Sequence, residues 1–166
     1  IMRRLARPSW ETNLPIYRIS YMEIKDLGIK SLLLDVDGTL ISRNTNEIPE
    51  KVKKWVLEAK KIFSIYLISN NPSKERIGII ADKLGLEYKN NAFKPRKKYT
   101  QEAIKKLNQN SENIALIGDR IFTDIVVANR CNIKSILVLK LNKQGNPIQF
   151  NLTLIFEKII SLFIFL

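Results

Sequence analysis

Asp35 and Asp37 stand two residues apart in the stretch Ile29–Leu40, IKSLLLDVDGTL. The apolar run Leu32-Leu33-Leu34 that precedes them suits a strand buried on both faces. Both carboxylates then fall at the strand's carboxyl end, where open α/β sheets place their ligands. Gly38 permits the tight turn that must follow. Paired carboxylates at a buried strand end are costly unless a positive charge sits among them. A hard cation such as Mg²⁺, held by oxygen ligands, meets that need. By itself Asp35-Val36-Asp37-Gly38 also reads as a polar turn, so the case rests on what lies downstream.

Three further groups follow in order: Ser69-Asn70-Asn71-Pro72, then Lys94-Pro95-Arg96-Lys97-Lys98, then Gly118-Asp119 with Asp124 five residues on. Each falls after an apolar strand or at a helix start. Ser69 offers a hydroxyl, Asn70 an amide and Lys94 an ammonium, with Lys97 and Lys98 as competitors for the last role. Asp119 follows an apolar strand as Asp35 does, which sets it apart from a plain helix-capping acid.

The elements that must position these residues alternate along the chain. Pro8–Ser20 reads as an irregular arm, with Trp10 packing on the domain, and Tyr21–Leu27 as a short helix stopped by Gly28. Helices are expected over Pro49–Lys61, Lys74–Leu84 and Tyr99–Leu107, and from a Thr123 cap to Arg130. Strands are expected over Ser64–Ile68, Glu87–Tyr88, Ile114–Ile117 and Ser135–Leu141. This alternation predicts an α/β fold, a three-layer, doubly wound parallel sheet. The expected divisions are 1–28 (arm and short helix), 29–149 (the α/β domain) and 150–166 (an apolar helix).

Composition narrows the chemistry. The 166 residues carry 28 basic and 16 acidic side chains, a formal charge of +12, and the pI is about 9.9. Such a balance predicts an anionic partner: nucleic acid, a phosphorylated substrate or an acidic membrane surface. With no histidine, a Ser-His-Asp triad and His-ligated zinc are excluded. Cys131 is the only cysteine, so no disulfide forms within the chain, and no arginine follows it closely enough for a thiol phosphatase loop. Ile1–Arg7 is basic without the apolar core of a signal peptide, and Ile1 as first residue is expected to mark a trimmed or partial sequence.

The set DVDGTL, SNN, KP and GDRIFTD resembles the haloacid dehalogenase (HAD) superfamily of phosphatases. More narrowly, GDRIFTDIVVANR followed by SILVLKL, with AFKPR, SNN, the Pro8…Trp10 arm and the FN…EKI pattern, resembles the YqeG family, the phosphatidylglycerophosphate phosphatase branch. Gly38 departs from that branch, which more often carries Asn or Glu there. The resemblance implies Asp35 as nucleophile, forming an aspartyl-phosphate, and Asp37 as acid and base. It implies Mg²⁺ held by Asp35, the Asp37 backbone carbonyl and Asp119, with Asp124 a ligand through water or a support for Asp119. It implies phosphate binding by Ser69, Lys94 and Asn70, and Arg120 as a salt-bridge or headgroup residue.

Neither Thr39–Ile48 nor Pro72–Phe93 has room for a large cap domain. The site is therefore expected to be open, and its substrate presented on something large: a lipid headgroup or a nucleic-acid end. The closing stretch Leu152–Leu166 is shorter than the roughly 20 apolar residues of a membrane span. Thr153, Glu157 and Ser161 recur every four residues on it, so it either covers the sheet or lies in a membrane interface. The reading is a Mg²⁺-dependent phosphatase acting on phosphatidylglycerophosphate, peripheral to the cytoplasmic face of the membrane. The rivals are a phosphatase for a nucleic-acid end or small metabolite, and a non-catalytic basic adaptor that binds membrane or nucleic acid.

Overall fold

The computed structural model describes residues 5–164. Residues 1–4 of the basic amino end and 165–166 of the closing apolar run lie outside them. Six strands form one parallel sheet: β1 (Trp10–Glu11), β2 (Ser31–Leu34), β3 (Ser64–Ile68), β4 (Glu87–Lys89), β5 (Ile114–Gly118) and β6 (Lys134–Leu137). Their spatial order is β1-β6-β5-β2-β3-β4. The chain thus winds outward from β2 in one direction through β3 and β4, and in the other through β5 and β6. Leu34 pairs with Leu67 of β3 on one side and Ile117 of β5 on the other. The point where the winding reverses lies between β2 and β5, the place where such sheets bind ligands.

Helices α1 (Tyr21–Asp26), α2 (Glu50–Ala59), α3 (Lys74–Leu84), α4 (Lys97–Leu107), α5 (Val126–Arg130) and α6 (Leu152–Ile164) complete the chain. Alternation along β2 sorts the core into two layers. Leu32 and Leu34 pack with Val52, Trp55 and Val56 of α2 and Ile77 and Ile80 of α3. Leu33 faces the other way, against Ala103 of α4 and Val127 and Ala128 of α5. All three leucines are fully buried, and losing one such side chain costs about 2–5 kcal/mol. The fold is the HAD-like doubly wound sheet, with no large cap over it among the described residues.

Several expected elements differ in detail. The arm is more regular than its prolines predict: Trp10 and Glu11 form β1, paired with Ile136 and Leu137. Thr12 N and its hydroxyl both donate to Leu137 O, which fastens the arm to the sheet edge. Strand β6 ends at Leu137 and does not run to Leu141: Val138 N still donates to Gly118 O of β5, but the donors beyond it turn to loop partners. Leu139 N donates to Leu14 O and Leu141 N to Gly38 O. Thr123 caps no helix. It sits inside a π-helical turn, Ile121–Ile125, that leads into α5.

Candidate active site

Asp35 follows β2 directly, and its N–H donates to Ile117 O at 3.0 Å. That bond continues the β2–β5 ladder one residue past the strand and fixes the Asp35 backbone. Asp119 occupies the same place after β5. Asp124 enters from the π-helical turn, where its Oδ2 accepts from Arg120 N at 3.1 Å. The three carboxylates converge so that one oxygen from each lies within 4.8 Å of the others, and all three residues are buried.

Lys94 is inserted among them. Its Nζ lies 2.7 Å from Asp35 Oδ1 and 2.6 Å from Asp124 Oδ1, and it also donates to Ile68 O at 3.1 Å. Lys94 is 4% exposed, whereas Lys97 and Lys98 point to solvent. The Lys94 backbone is itself clamped. Asn70 Oδ1 accepts from Lys94 N at 2.7 Å, and Asn70 Nδ2 donates to Lys94 O at 2.9 Å. The structure therefore gives Asn70 a different task from the phosphate contact expected of it: both ends of its amide position Lys94.

Burial pushes the Asp35 carboxyl up to about 6, and the nearby Asp124 charge pushes the same way, against Lys94 and Thr39. Burial likewise raises Asp119 well above the ordinary carboxylate range, reinforced by Asp35 and Asp124. For Lys94, burial alone favours the neutral amine; the Asp124 and Asp35 carboxylates outweigh it and hold the ammonium above its usual value. Three carboxylates around one ammonium leave two negative charges unmatched. A single divalent cation matches them, and the all-oxygen donor set suits Mg²⁺. Asp35, Asp119 and Asp124 would hold it.

Asp37 is placed apart from this cluster. Its Oδ2 accepts from Asn71 Nδ2 at 2.9 Å, and its Oδ1 forms an ion pair with Arg76 Nη1 at 2.7 Å. The side chain thus stands apart from the three carboxylates that could hold a metal ion, with both of its oxygens engaged. Ser69, at the end of β3, is buried and its hydroxyl accepts from Asn71 N. A cleft of about 310 Å³ opens here, lined by Asp37, Arg43, Ser69, Asn70, Asn71 and Pro72.

Three contributors were not assigned to the site from the sequence. Thr39 donates to Asp35 Oδ2 at 3.0 Å and reaches Asp119 Oδ1 at 3.4 Å, tying the two strand ends together. It lay in plain view within DVDGTL. Arg76 of α3 and Glu157 of α6 reach this region only through the fold; the four-residue spacing that sets Glu157 on a polar stripe does not point to the site. Gly38 has φ +93, and a Cβ there would meet Asp119 Oδ2 at 2.5 Å. In this chain the turn and the Asp119 carboxylate are packed for glycine.

Residues 92–157 match the family model described as HAD-hydrolase-like. The chain is similar to a protein named probable phosphatase YqeG from Bacillus subtilis (strain 168), 26% identical over 138 residues, covering 82% of this chain and 80% of the relative. Among solved structures, an uncharacterised protein from Listeria monocytogenes serotype 4b superposes with a TM-score of 0.53 at 18% identity, covering 66% of this chain and 78% of that one. The cobalt-bound deoxy-D-mannose-octulosonate 8-phosphate phosphatase of Haemophilus influenzae gives 0.50 at 17% identity, over 72% and 83%. Taken together, the chain has a HAD-like fold and is similar to proteins named as phosphatases.

Proposed function

We propose that this enzyme hydrolyses the phosphomonoester of phosphatidylglycerophosphate at a membrane surface, with Mg²⁺ as its cofactor. The observation that carries a phosphatase mechanism is the buried cluster of Asp35, Asp119 and Asp124 around Lys94. An Asp35 carboxylate oxygen attacks phosphorus, and the bond from phosphorus to the glycerol oxygen breaks. The departing oxygen takes a proton from Asp37. Asp37 then accepts a proton from water, whose oxygen attacks phosphorus and breaks the bond to Asp35. Inorganic phosphate leaves and both carboxyls are restored. Lys94 neutralises charge on the transferred oxygens, and Ser69 donates a hydroxyl to them. When bound, the divalent cation lets an anionic nucleophile approach an anionic ester.

The choice of a lipid rests on four features. The narrow sequence resemblance is to the phosphatidylglycerophosphate phosphatase branch. Among the described residues no large cap closes the site. Arg43 and Arg96 stand exposed at its two sides, the latter in a cleft of about 420 Å³ that also takes in Phe93 and Lys94. The phosphodiester of such a lipid is a fitting partner for these guanidiniums. Finally, α6 turns Leu152, Phe156, Ile159, Leu162 and Phe163 outward, each at least 48% exposed. No helix among the described residues is long and apolar enough to cross a membrane, so α6 is read as lying in the interface.

Phosphate release tests this directly. Phosphatidylglycerophosphate in mixed micelles should be hydrolysed with Mg²⁺ and not with chelator, and faster than water-soluble phosphomonoesters. Asp35→Asn should abolish turnover. Preference for a small soluble phosphomonoester would instead assign the enzyme to metabolite dephosphorylation.

A further inference from the structure

Helix α6 turns one charged residue inward. Glu157 is 2% exposed, while its apolar neighbours Phe156 and Ile159 face out. A buried carboxylate on an otherwise apolar helix is costly unless it is fully partnered. Here it is: Arg120 Nε and Nη2 donate to Oε1 at 3.0 and 2.8 Å, and Ile121 N donates to Oε2 at 2.9 Å.

Both partners belong to the segment that bears the acid cluster. Arg120 adjoins Asp119, and its own N–H donates to Asp124 Oδ2. Ile121 opens the π-helical turn that carries Asp124. A π turn is a rare, weakly self-sufficient geometry often found at functional sites, and its first N–H groups have no partner within the turn. Glu157 supplies one partner from 36 residues away. Leu154 adds apolar contact with Ile121 and Ile125 from the same helix.

We propose that Glu157 is a positioning residue for the metal site: through Arg120 and the Ile121 N–H it holds the turn that sets Asp119 and Asp124 at the spacing a cation needs. The inference rests on the metal-dependent reading above. Groups that orient ligands from behind typically change metal affinity 10–100-fold when removed.

The test is calorimetric titration of the full chain with Mg²⁺ in the absence of substrate. Glu157→Gln keeps the shape of the side chain and loses its charge; Glu157→Ala removes it. Both should bind Mg²⁺ on the order of 10-fold more weakly than wild type, with turnover largely recovered at saturating Mg²⁺. Lys158→Ala is the control. Lys158 lies on the same helix, and the change breaks its ion pair with Glu11 of β1 without touching the turn; the variant should bind Mg²⁺ as wild type does. Glu157 variants that fold by circular dichroism and bind Mg²⁺ with unchanged affinity overturn the proposal. So does a Lys158→Ala variant weakened to the same degree, since that would make helix docking and not the carboxylate responsible. A wild-type chain that binds no divalent cation overturns the reading of the site, and this inference with it.

Discussion

Arg76 Nη1 lies 2.7 Å from Asp37 Oδ1, with the two side chains only 13% and 11% exposed. The same guanidinium donates to Ser42 O, Arg43 O, Thr45 O and Asn46 Oδ1. One residue of α3 thereby fixes both the proposed proton donor and the loop beside it. Proton donation matters most when the leaving oxygen is a poor leaving group, and a positioned acid contributes typically 10²–10⁴-fold. Arg76→Ala should therefore slow hydrolysis of an alkyl phosphate on the order of 10²-fold and that of p-nitrophenyl phosphate much less, in parallel with Asp37→Asn. Turnover of both esters by the three proteins checks this. Equal losses on the two esters would mean that Arg76 serves the loop and not Asp37.

Lys94 bridges Asp35 and Asp124 at 2.7 and 2.6 Å inside the protein. Removing one partner of a buried ion pair leaves uncompensated charge and costs about 3–5 kcal/mol. Lys94→Met should thus lose activity on every phosphomonoester and, without metal, unfold at a lower denaturant concentration. Saturating Mg²⁺ should recover part of the stability and none of the turnover, because the cation replaces the charge but not the hydrogen-bond donor. Urea melts with and without Mg²⁺, beside steady-state rates, measure both. Recovery of turnover by Mg²⁺ would remove Lys94 from the phosphate contacts.

The sequence disclosed the sheet and the motif residues because they obey local rules. Leu32-Leu33-Leu34 is apolar on both faces of a central strand, and Asp35 and Asp119 each directly follow the last residue of their strand, β2 and β5. What it hid depends on contacts between distant segments. Asn70 looks like a ligand in a loop, yet its amide is turned onto the Lys94 backbone. Thr123 looks like a cap, yet the chain takes a π turn because Arg120 and Ile121 are held by Glu157. Residues Trp10 and Glu11 follow Pro8 and look irregular, yet an open sheet edge at β6 recruits them. In each case a partner far away in the chain overrides the local preference.

The raised carboxyls imply a distinctive pH dependence for the metal-free protein. In the unfolded chain Asp35 titrates near 3.8; in the folded chain it titrates at about 6. Between those values the folded state holds more protons, so stability falls as pH rises through the window, by on the order of 3 kcal/mol for two units of displacement. Asp119 acts in the same direction. With chelator present, the stability difference between wild type and Asp35→Asn should shift in favour of the variant from pH 4 to pH 7. Mg²⁺ requires the ionised carboxylates, so its stabilisation should be large at pH 7 and fade as pH falls below about 6. Urea melts across this range, with chelator or Mg²⁺, decide the matter. A wild type whose metal-free stability, relative to the variant, does not change with pH would contradict the raised carboxyl.

The outward face of α6 makes a prediction that leaves the chemistry alone. Leu152, Phe156, Ile159, Leu162 and Phe163 recur at helical spacing and are 48–72% exposed, a contiguous apolar stripe of the kind soluble surfaces seldom carry without use. The helix is docked against Arg120 and Ile121, immediately after the Asp119 strand end, so the stripe lies at the same end of the sheet as the site. Burying such side chains in the interface contributes about 25 cal/mol per Å² of apolar surface, and the formal charge of +12 adds attraction to anionic lipid. The double substitution Phe156→Ser and Leu162→Ser should reduce co-sedimentation with vesicles containing phosphatidylglycerol on the order of 10-fold or more. Hydrolysis of p-nitrophenyl phosphate should stay near the wild-type rate, because neither side chain contacts the acid cluster or the bonds made by Glu157. High salt should weaken wild-type sedimentation in part, through the charge term alone. Vesicle binding that survives the double substitution unchanged would show that the stripe does not meet lipid.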